Sequence, residues 1–351
     1  MHQGPLRIRI HERAQLGGVN PRLTRLARLG TAYTGIASGI LTLGVLVSAE
    51  DGALALVQIL APHLALACLI LVPVAALAQA RSLALALVAI TCLFGIRFGA
   101  EWWSPAAPDP AGSGRLRVEA WNLEAGERAG PEAIDLLTAN PGDIVAVEEL
   151  TPAVAAAIDV DPTLGARYPF RALFPSDGVA GIGLLSRFPI RSPTYDLHPV
   201  RLEARIDLPD GPLVVLAAHP FPALIYRVAG IPSGINPTDR NHGLDLLRAR
   251  VLALDVAGDR VLLLGDFNTA PTEPAFGRLV GGLHDAHAEV GTGPGWTWRP
   301  ARFAFLGIGL LRIDLILTTS GLEPLTTSVT CPAAGDHCLV QASLAYGVAS
   351  P

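Results

Sequence analysis

The chain has 351 residues, half of them hydrophobic, and a formal net charge of −5. That length exceeds one small domain and suits a membrane segment followed by a domain of ~200–250 residues, large enough for a two-layer core. All 26 basic residues are arginine; with eight of them and three acids before residue 101, eighteen arginines face 28 acids beyond it, a balance of about −10 that offers no overall basic face for non-specific nucleic-acid binding.

Residues 1–28 form a basic arm with six arginines. Three apolar stretches follow, Leu29–Ala49, Gly52–Ala80 and Ser82–Ala100, each reaching the ~20 residues that cross a hydrocarbon core. A secretory signal supplies one such stretch, not three in succession, so three transmembrane helices are expected over residues 29–100. The middle stretch contains Pro62, His63 and Pro73; proline is tolerated where neighbouring helices satisfy the freed backbone groups, and His63 is expected to hydrogen-bond within the bundle. The arginine-rich arm and Arg81 belong in the cytoplasm and the Glu50–Asp51 loop outside. The chain after Ala100 then emerges on the outer face, with Trp102 and Trp103 at the interface.

Residues 101–114 read as a linker, rich in Pro, Ala and Gly from Ser104. From Arg115 short apolar strands alternate with a few amphipathic helices, the pattern of a layered α/β domain over residues 115–346. Strands are predicted over Leu116–Trp121, Asp143–Val147, Gly181–Leu185, Leu202–Leu208, Leu213–Ala218, Val261–Leu264, Arg312–Leu317 and Leu339–Leu344, and helices over Pro131–Thr138 and Gly243–Val256. Groups suited to metal or phosphate chemistry recur at strand ends: Asn122, Glu149, His219, Asp266 with Asn268, and Asp336 with His337. Loops at one rim of a sheet are common places for a site.

Seven segments resemble, in order, the motifs of the endonuclease/exonuclease/phosphatase superfamily. They are Ala120-Trp121-Asn122-Leu123, Asp143 to Glu149, Gly183 to Ile190, Ala218-His219-Pro220, Gly265-Asp266-Phe267-Asn268, Arg312 to Leu317 and Gly335-Asp336-His337. The resemblance implies a four-layered α/β sandwich and metal-dependent phosphoester hydrolysis. It implies Glu149 as the principal metal ligand, with Asn122 and Asp336 contributing, and Mg²⁺ or Mn²⁺ as the ion, since such ions take oxygen ligands. Asp266 would orient or deprotonate the attacking water, and Asn268 would donate to a phosphate oxygen. His337 would meet the phosphoryl group as base or charge stabiliser, held by Asp314. His219 would hydrogen-bond the phosphate or the leaving group. Where the family usually has Gln-Glu this chain has Glu148-Glu149, and Glu148 is expected to face solvent. Asp285 and His287 match no motif and are expected in a solvated loop. Gly295-Trp296-Thr297-Trp298, the His-Pro pair and the three spans are similar to membrane hydrolases of the VanJ type, associated with glycopeptide resistance.

Cys331 and Cys338 bracket the Asp336-His337 pair and are close enough to bridge if the domain lies outside the cytoplasm. The expected function is therefore hydrolysis of a phosphoester or pyrophosphate on a small-molecule or lipid substrate, at the cell membrane and outside the cytoplasm. A surface nuclease is the enzymatic alternative, and a non-catalytic membrane receptor on the same fold the alternative of another class.

Overall fold

The computed structural model describes residues 47–104, 114–126, 130–139, 142–333 and 335–347, with scattered positions between 25 and 44. Most of the basic arm and of the predicted linker, and part of the first predicted span, lie outside the described residues. Residues 52–98 form α1 (Gly52–Ile59), α2 (Ala61–Leu77) and α3 (Arg81–Phe98). The middle span, expected as one helix, is thus two, α1 and α2, which meet at 62°. Pro62 sits in the first turn of α2, where its missing N–H breaks no helical bond. Among the described residues α3 is long and apolar enough to cross a bilayer, while α1 and α2 reach that length only as a bent pair. Cys68, Ala75 and Leu87 pack between α2 and α3, leaving Ile70, Leu77, Leu85 and Ile96 exposed. The ring nitrogens of His63 find no partner, and the ring instead stacks on Trp296 at 4.8 Å.

Residues 114–346 hold two six-stranded sheets. The first contains β1 (Gly114–Asn122), β2 (Ile144–Glu148), β3 (Phe170–Phe174), β4 (Ile182–Ser186), β13 (Leu322–Thr330) and β14 (Leu339–Tyr346), ordered β13-β14-β1-β2-β4-β3. The second contains β5 (Ile190–Leu197), β6 (Val200–Leu208), β7 (Gly211–His219), β10 (Val261–Asp266), β11 (His284–Asp285) and β12 (Asp314–Thr318), ordered β11-β12-β10-β7-β6-β5. On β6 the residues Val200, Leu202, Ala204, Ile206 and Leu208 alternate inward and meet Leu116, Val118, Ile144 and Leu184 of the facing sheet.

Helices cover the two outer faces. Leu137 of α4 (Gly130–Ala139), Ile158 of α5 (Pro152–Val160) and Leu164 of α6 (Pro162–Arg167) pack on Val145, Val147 and Leu185. Leu244, Leu247 and Val251 of α7 (Thr238–Val256), with Phe276 of α8 (Pro274–Val280), pack on Val214, Leu216 and Leu263. Helix, sheet, sheet and helix give the four layers expected. Strands β2, β7 and β10 are covered on both faces and read as continuous apolar runs. A short helix α9 (Ala286–Val290) and a separate hairpin of β8 (Leu224–Val228) and β9 (Ile231–Asn236) complete the domain.

Cys331 and Cys338 form a disulfide that ties the end of β13 to the start of β14 across a sequence separation of 7. Closing so short a loop contributes roughly 2 kcal/mol on a chain-entropy estimate. The double variant Cys331→Ser/Cys338→Ser is expected to lose about that much in urea unfolding, and reductant should lower the wild type alone. Equal sensitivity of both proteins to reductant would reject the assignment.

Candidate active site

The parallel pairs β1–β2 and β7–β10 deliver the site from their carboxyl ends. Asn122 lies level with Glu148 in the first sheet, and Asp266 level with Asp314 in the second. Both chains turn sharply just beyond: Glu149 has φ +54° and Asn268 φ +51°, a left-handed conformation that non-glycine residues seldom adopt outside functional turns. Gly265 has φ +135°, and a Cβ there would stand 2.2 Å from the Ala218 carbonyl oxygen and 2.9 Å from Oε1 of Glu148. Only glycine lets β10 pass this close to β7 and bring Asp266 to the rim.

Asp266 is the centre of the cluster. Its Oδ1 accepts from the Asn268 backbone N–H at 2.9 Å, and its Oδ2 from Nδ2 of Asn122 at 3.1 Å. Nε2 of His219 and Nε2 of His337 each stand 3.5 Å from that same Oδ2. Behind His337, Nδ1 bonds to the Asp314 carboxylate, both oxygens at 3.0 Å. Asp314 is fixed in turn by Thr297, whose Oγ1 accepts from the Ile313 and Asp314 N–H groups. Nδ1 of His219 faces the Val179 carbonyl at 3.0 Å, so this nitrogen carries the proton, and Nε2 looks toward Glu149 at 3.8 Å. Asn122 also donates to Glu149 at 3.1 Å, while its Oδ1 accepts from the Glu124 N–H.

Burial would lower the pKa of His337, but the Asp314 and Asp266 carboxylates outweigh it and hold the imidazolium up to about 10. Burial, then the charge of Asp314, pushes Asp266 upward. Burial depresses His219 despite Glu149, so its ring is neutral near pH 7. Four carboxylates, those of Glu149, Asp266, Asp314 and Asp336, thus confront one imidazolium. Oδ1 of Asp336 is buried with no partner, and ligand atoms of Asp266, Asp314 and His337 lie within 4.8 Å of one another. An oxygen-rich cluster with surplus negative charge fits a hard divalent cation.

The structure brings Asn122, Glu149, His219, Asp266, Asp314 and His337 into one cluster. Asp336 bonds to Nε1 of Trp298 at 3.3 Å. The Asn268 side chain is spent on the Pro220 carbonyl at 3.0 Å. Glu148, expected to face solvent, is wholly buried, with neither carboxylate oxygen paired. Burial, followed by repulsion from Asp314 and Asp266, raises its pKa well above the usual carboxylate range and keeps it neutral. Asp285 and His287 are also buried rather than solvated; Asp285 pairs with Arg312 at 2.8 Å, and His287 Nε2 meets the Gly293 carbonyl. Sequence reasoning passed over Arg240, which bonds the Asn268 carbonyl and pairs with Glu273 at 2.6 Å, stiffening the loop after Asp266. The segment Gly295-Trp296-Thr297-Trp298 entered only through a resemblance, whereas its Thr297 is the residue that holds Asp314.

The model of the Endonuclease/Exonuclease/phosphatase family matches residues 120–337, from β1 to the loop that carries His337. No curated protein matches the chain. Among solved structures, an endonuclease/exonuclease/phosphatase family protein from Bacteroides thetaiotaomicron is 14% identical with a TM-score of 0.51, covering 67% of this chain and 99% of its own. Truncated TDP2 of Caenorhabditis elegans is 15% identical with a TM-score of 0.51, covering 66% and 98%. The 3' phosphatase NExo from Neisseria, bound to a product DNA hairpin, is 19% identical with a TM-score of 0.51, covering 65% and 98%. At these identities the likeness is one of fold.

Proposed function

The chain belongs to the endonuclease/exonuclease/phosphatase family of phosphoester hydrolases, and from that premise we propose that it is a membrane-anchored, divalent-metal-dependent phosphoesterase. Its catalytic domain, residues 115–346, works outside the cytoplasm on an envelope or lipid-linked phosphate. The observation that carries the chemistry is the convergence of two imidazoles on Oδ2 of Asp266, with Asp314 behind one of them.

In this reading Asp266 takes the proton of the attacking water, its free rotation stopped by the Asn268 N–H. His337, cationic near neutral pH, stabilises charge on the phosphoryl oxygens. His219, its Nδ1 proton spent on Val179, turns Nε2 to the phosphate or its leaving group, an acceptor in the neutral ring that donates there only once it has taken up a proton. Asn268 orients Asp266 through its backbone. Glu149 is the carboxylate that would hold the cation, with Asn122 and Asp336 beside it. Such an ion, Mg²⁺ or Mn²⁺, would neutralise charge on the phosphoryl group.

The helices support the anchor. A soluble monomer rarely exposes apolar surface on the scale of α2 and α3. Arg28 donates to the Ala78 carbonyl, close to Arg81, whereas Glu50 pairs with Arg278 of α8 at 2.5 Å. The arginines thus mark one end of the helical layer, and the acidic loop lies with the catalytic domain at the other. That split supports three spans with the catalytic domain outside. A likeness to VanJ-type hydrolases, and with it a role in glycopeptide resistance, is part of the same proposal.

The test is the purified full-length protein with Mg²⁺ or Mn²⁺, offered prenyl pyrophosphate, phosphatidic acid, a chromogenic phosphodiester and DNA. Hydrolysis of a lipid phosphate that stops on chelation is expected. Preferential cleavage of DNA would favour the surface nuclease, and no hydrolysis of any substrate would favour a non-catalytic receptor.

A further inference from the structure

Between His219 and α7 the chain leaves the sandwich for the hairpin β8–β9, which pairs with neither large sheet. Every residue of β8 is exposed. Leu224 is 62% exposed, Val228 68% and Ile231 69%. From Phe221 to Ile235 the only charged residue is Arg227, and its Nη1 reaches back to the Gly230 carbonyl at the hairpin's own turn. A lone two-stranded hairpin is marginal in water, and one that shows apolar side chains on both faces has no aqueous reason to do so.

The hairpin's packed edge lies on the helical layer. Ile235 bridges Gly52 backbone to backbone, and a Cβ on Gly234 would stand 2.9 Å from the Gly52 carbonyl carbon. The hairpin is therefore continuous with α1, the segment that precedes the exposed apolar helices. A second apolar element leaves the same rim of the sandwich. The turn Ala301–Leu306, between Trp298 and Asp314, exposes Phe305 at 79%, and Ile308 follows at 52%. Between the helices and the loop after Asn268 lies a small apolar slot, lined by Pro62 and Phe98 on one side and Pro271 and Trp296 on the other.

We infer that the β8–β9 hairpin and the 301–308 turn sit in the interfacial layer of the bilayer and hold the rim of the active site against it, so that the site receives lipid phosphates from that leaflet. The inference rests on the membrane-anchored reading above and deepens it. Continuity with the apolar helices and the near absence of charge favour lipid over a soluble partner. With Asp266, His219 and Asp314 on that rim, the phosphate would enter the cluster while its chain stays in the bilayer.

Spin labels test this in the full-length protein, in a Cys68→Ala/Cys92→Ala background, reconstituted in phosphatidylglycerol–phosphatidylethanolamine vesicles. Nitroxides are attached at Val228→Cys and Phe305→Cys, with Val160→Cys and Val256→Cys as aqueous controls. Collision with oxygen, relative to a water-soluble paramagnetic complex, is expected to rise at least threefold over the controls at positions 228 and 305. A ratio equal to the controls overturns the inference, as does shielding from both probes, which signals a protein partner or a second copy. In parallel, Leu224→Ser/Val228→Ser/Ile231→Ser is expected to lower hydrolysis of vesicle-borne long-chain phosphatidic acid at least tenfold while sparing the soluble dihexanoyl form. An equal fall on both, or on neither, overturns it. Immersed labels on a protein that hydrolyses nothing would sink the hydrolase reading and leave the hairpin's placement; aqueous labels on an active, vesicle-bound enzyme would do the reverse.

Discussion

Asp266→Asn is expected to lower kcat/KM by about 10³–10⁴-fold while leaving the fold intact, the upper range for loss of a positioned base. Asparagine keeps the volume of the side chain and an oxygen for the Asn268 N–H, so the turn at φ +51° is preserved. What disappears is the capacity to take a proton. Burial, the first cause, and the charge of Asp314 raise Asp266, which makes it a better proton acceptor than a solvated aspartate. The imidazolium of His337, 3.5 Å away, opposes that rise and keeps the carboxylate usable near neutral pH. Steady-state hydrolysis by the reconstituted protein gives the rate, and circular dichroism with urea unfolding gives the fold. A fall of less than tenfold in a folded variant would remove Asp266 from the proton-transfer step.

The sandwich was legible wherever a strand is covered on one or both faces by apolar layers. Alternation placed β6, and continuous apolar runs placed β2, β7 and β10. The edges were not legible. β13 contains Pro324 at a bulge and buries three of its nine residues, so neither periodicity nor propensity marks it. Helix α5, PAVAAAIDV, is so rich in alanine that its buried stripe of Val154, Ala155 and Ile158 hardly differs from its other face. The cluster's polar side chains end strands that are otherwise apolar, an arrangement that sequence displays directly. Glu148 was misread by the logic that worked elsewhere. Beside a ligand one expects a solvent-facing neighbour, yet all five residues of β2 are buried, so both directions off the strand lead into protein. A carboxylic acid survives there by staying protonated, in the position where the family's amide usually lies. The hairpin β8–β9 escaped for a related reason: its apolar residues have no interior to alternate toward.

Asp314→Asn should have the second-largest effect, because it acts on His337 without touching the reacting atoms. Asparagine can still accept from Nδ1, so the ring keeps its place, but the negative charge that sustains the imidazolium is gone. The pKa of His337 should fall from about 10, so the ring becomes the neutral species at a lower pH than in the wild type. Losing the carboxylate behind an imidazole costs up to ~10⁴-fold in rate, and the loss here should deepen, from a small value at low pH, as the pH rises. Under a base role for His337, by contrast, the lowered pKa would free more of the base near neutral pH and offset the loss there. Stability gives an independent check. His337 titrates at 6.5 when unfolded and about 10 when folded, so its charged pairing stabilises fully below pH 6.5, weakens as the pH climbs, and is gone once the folded form has titrated near 10. Urea unfolding of the metal-free protein should therefore show a gap between wild type and Asp314→Asn that is widest near pH 6.5 and closes toward pH 10. A gap independent of pH across that window would mean that Asp314 fixes His337 by shape alone, and that the charge on the imidazole is not what the cluster is built to maintain.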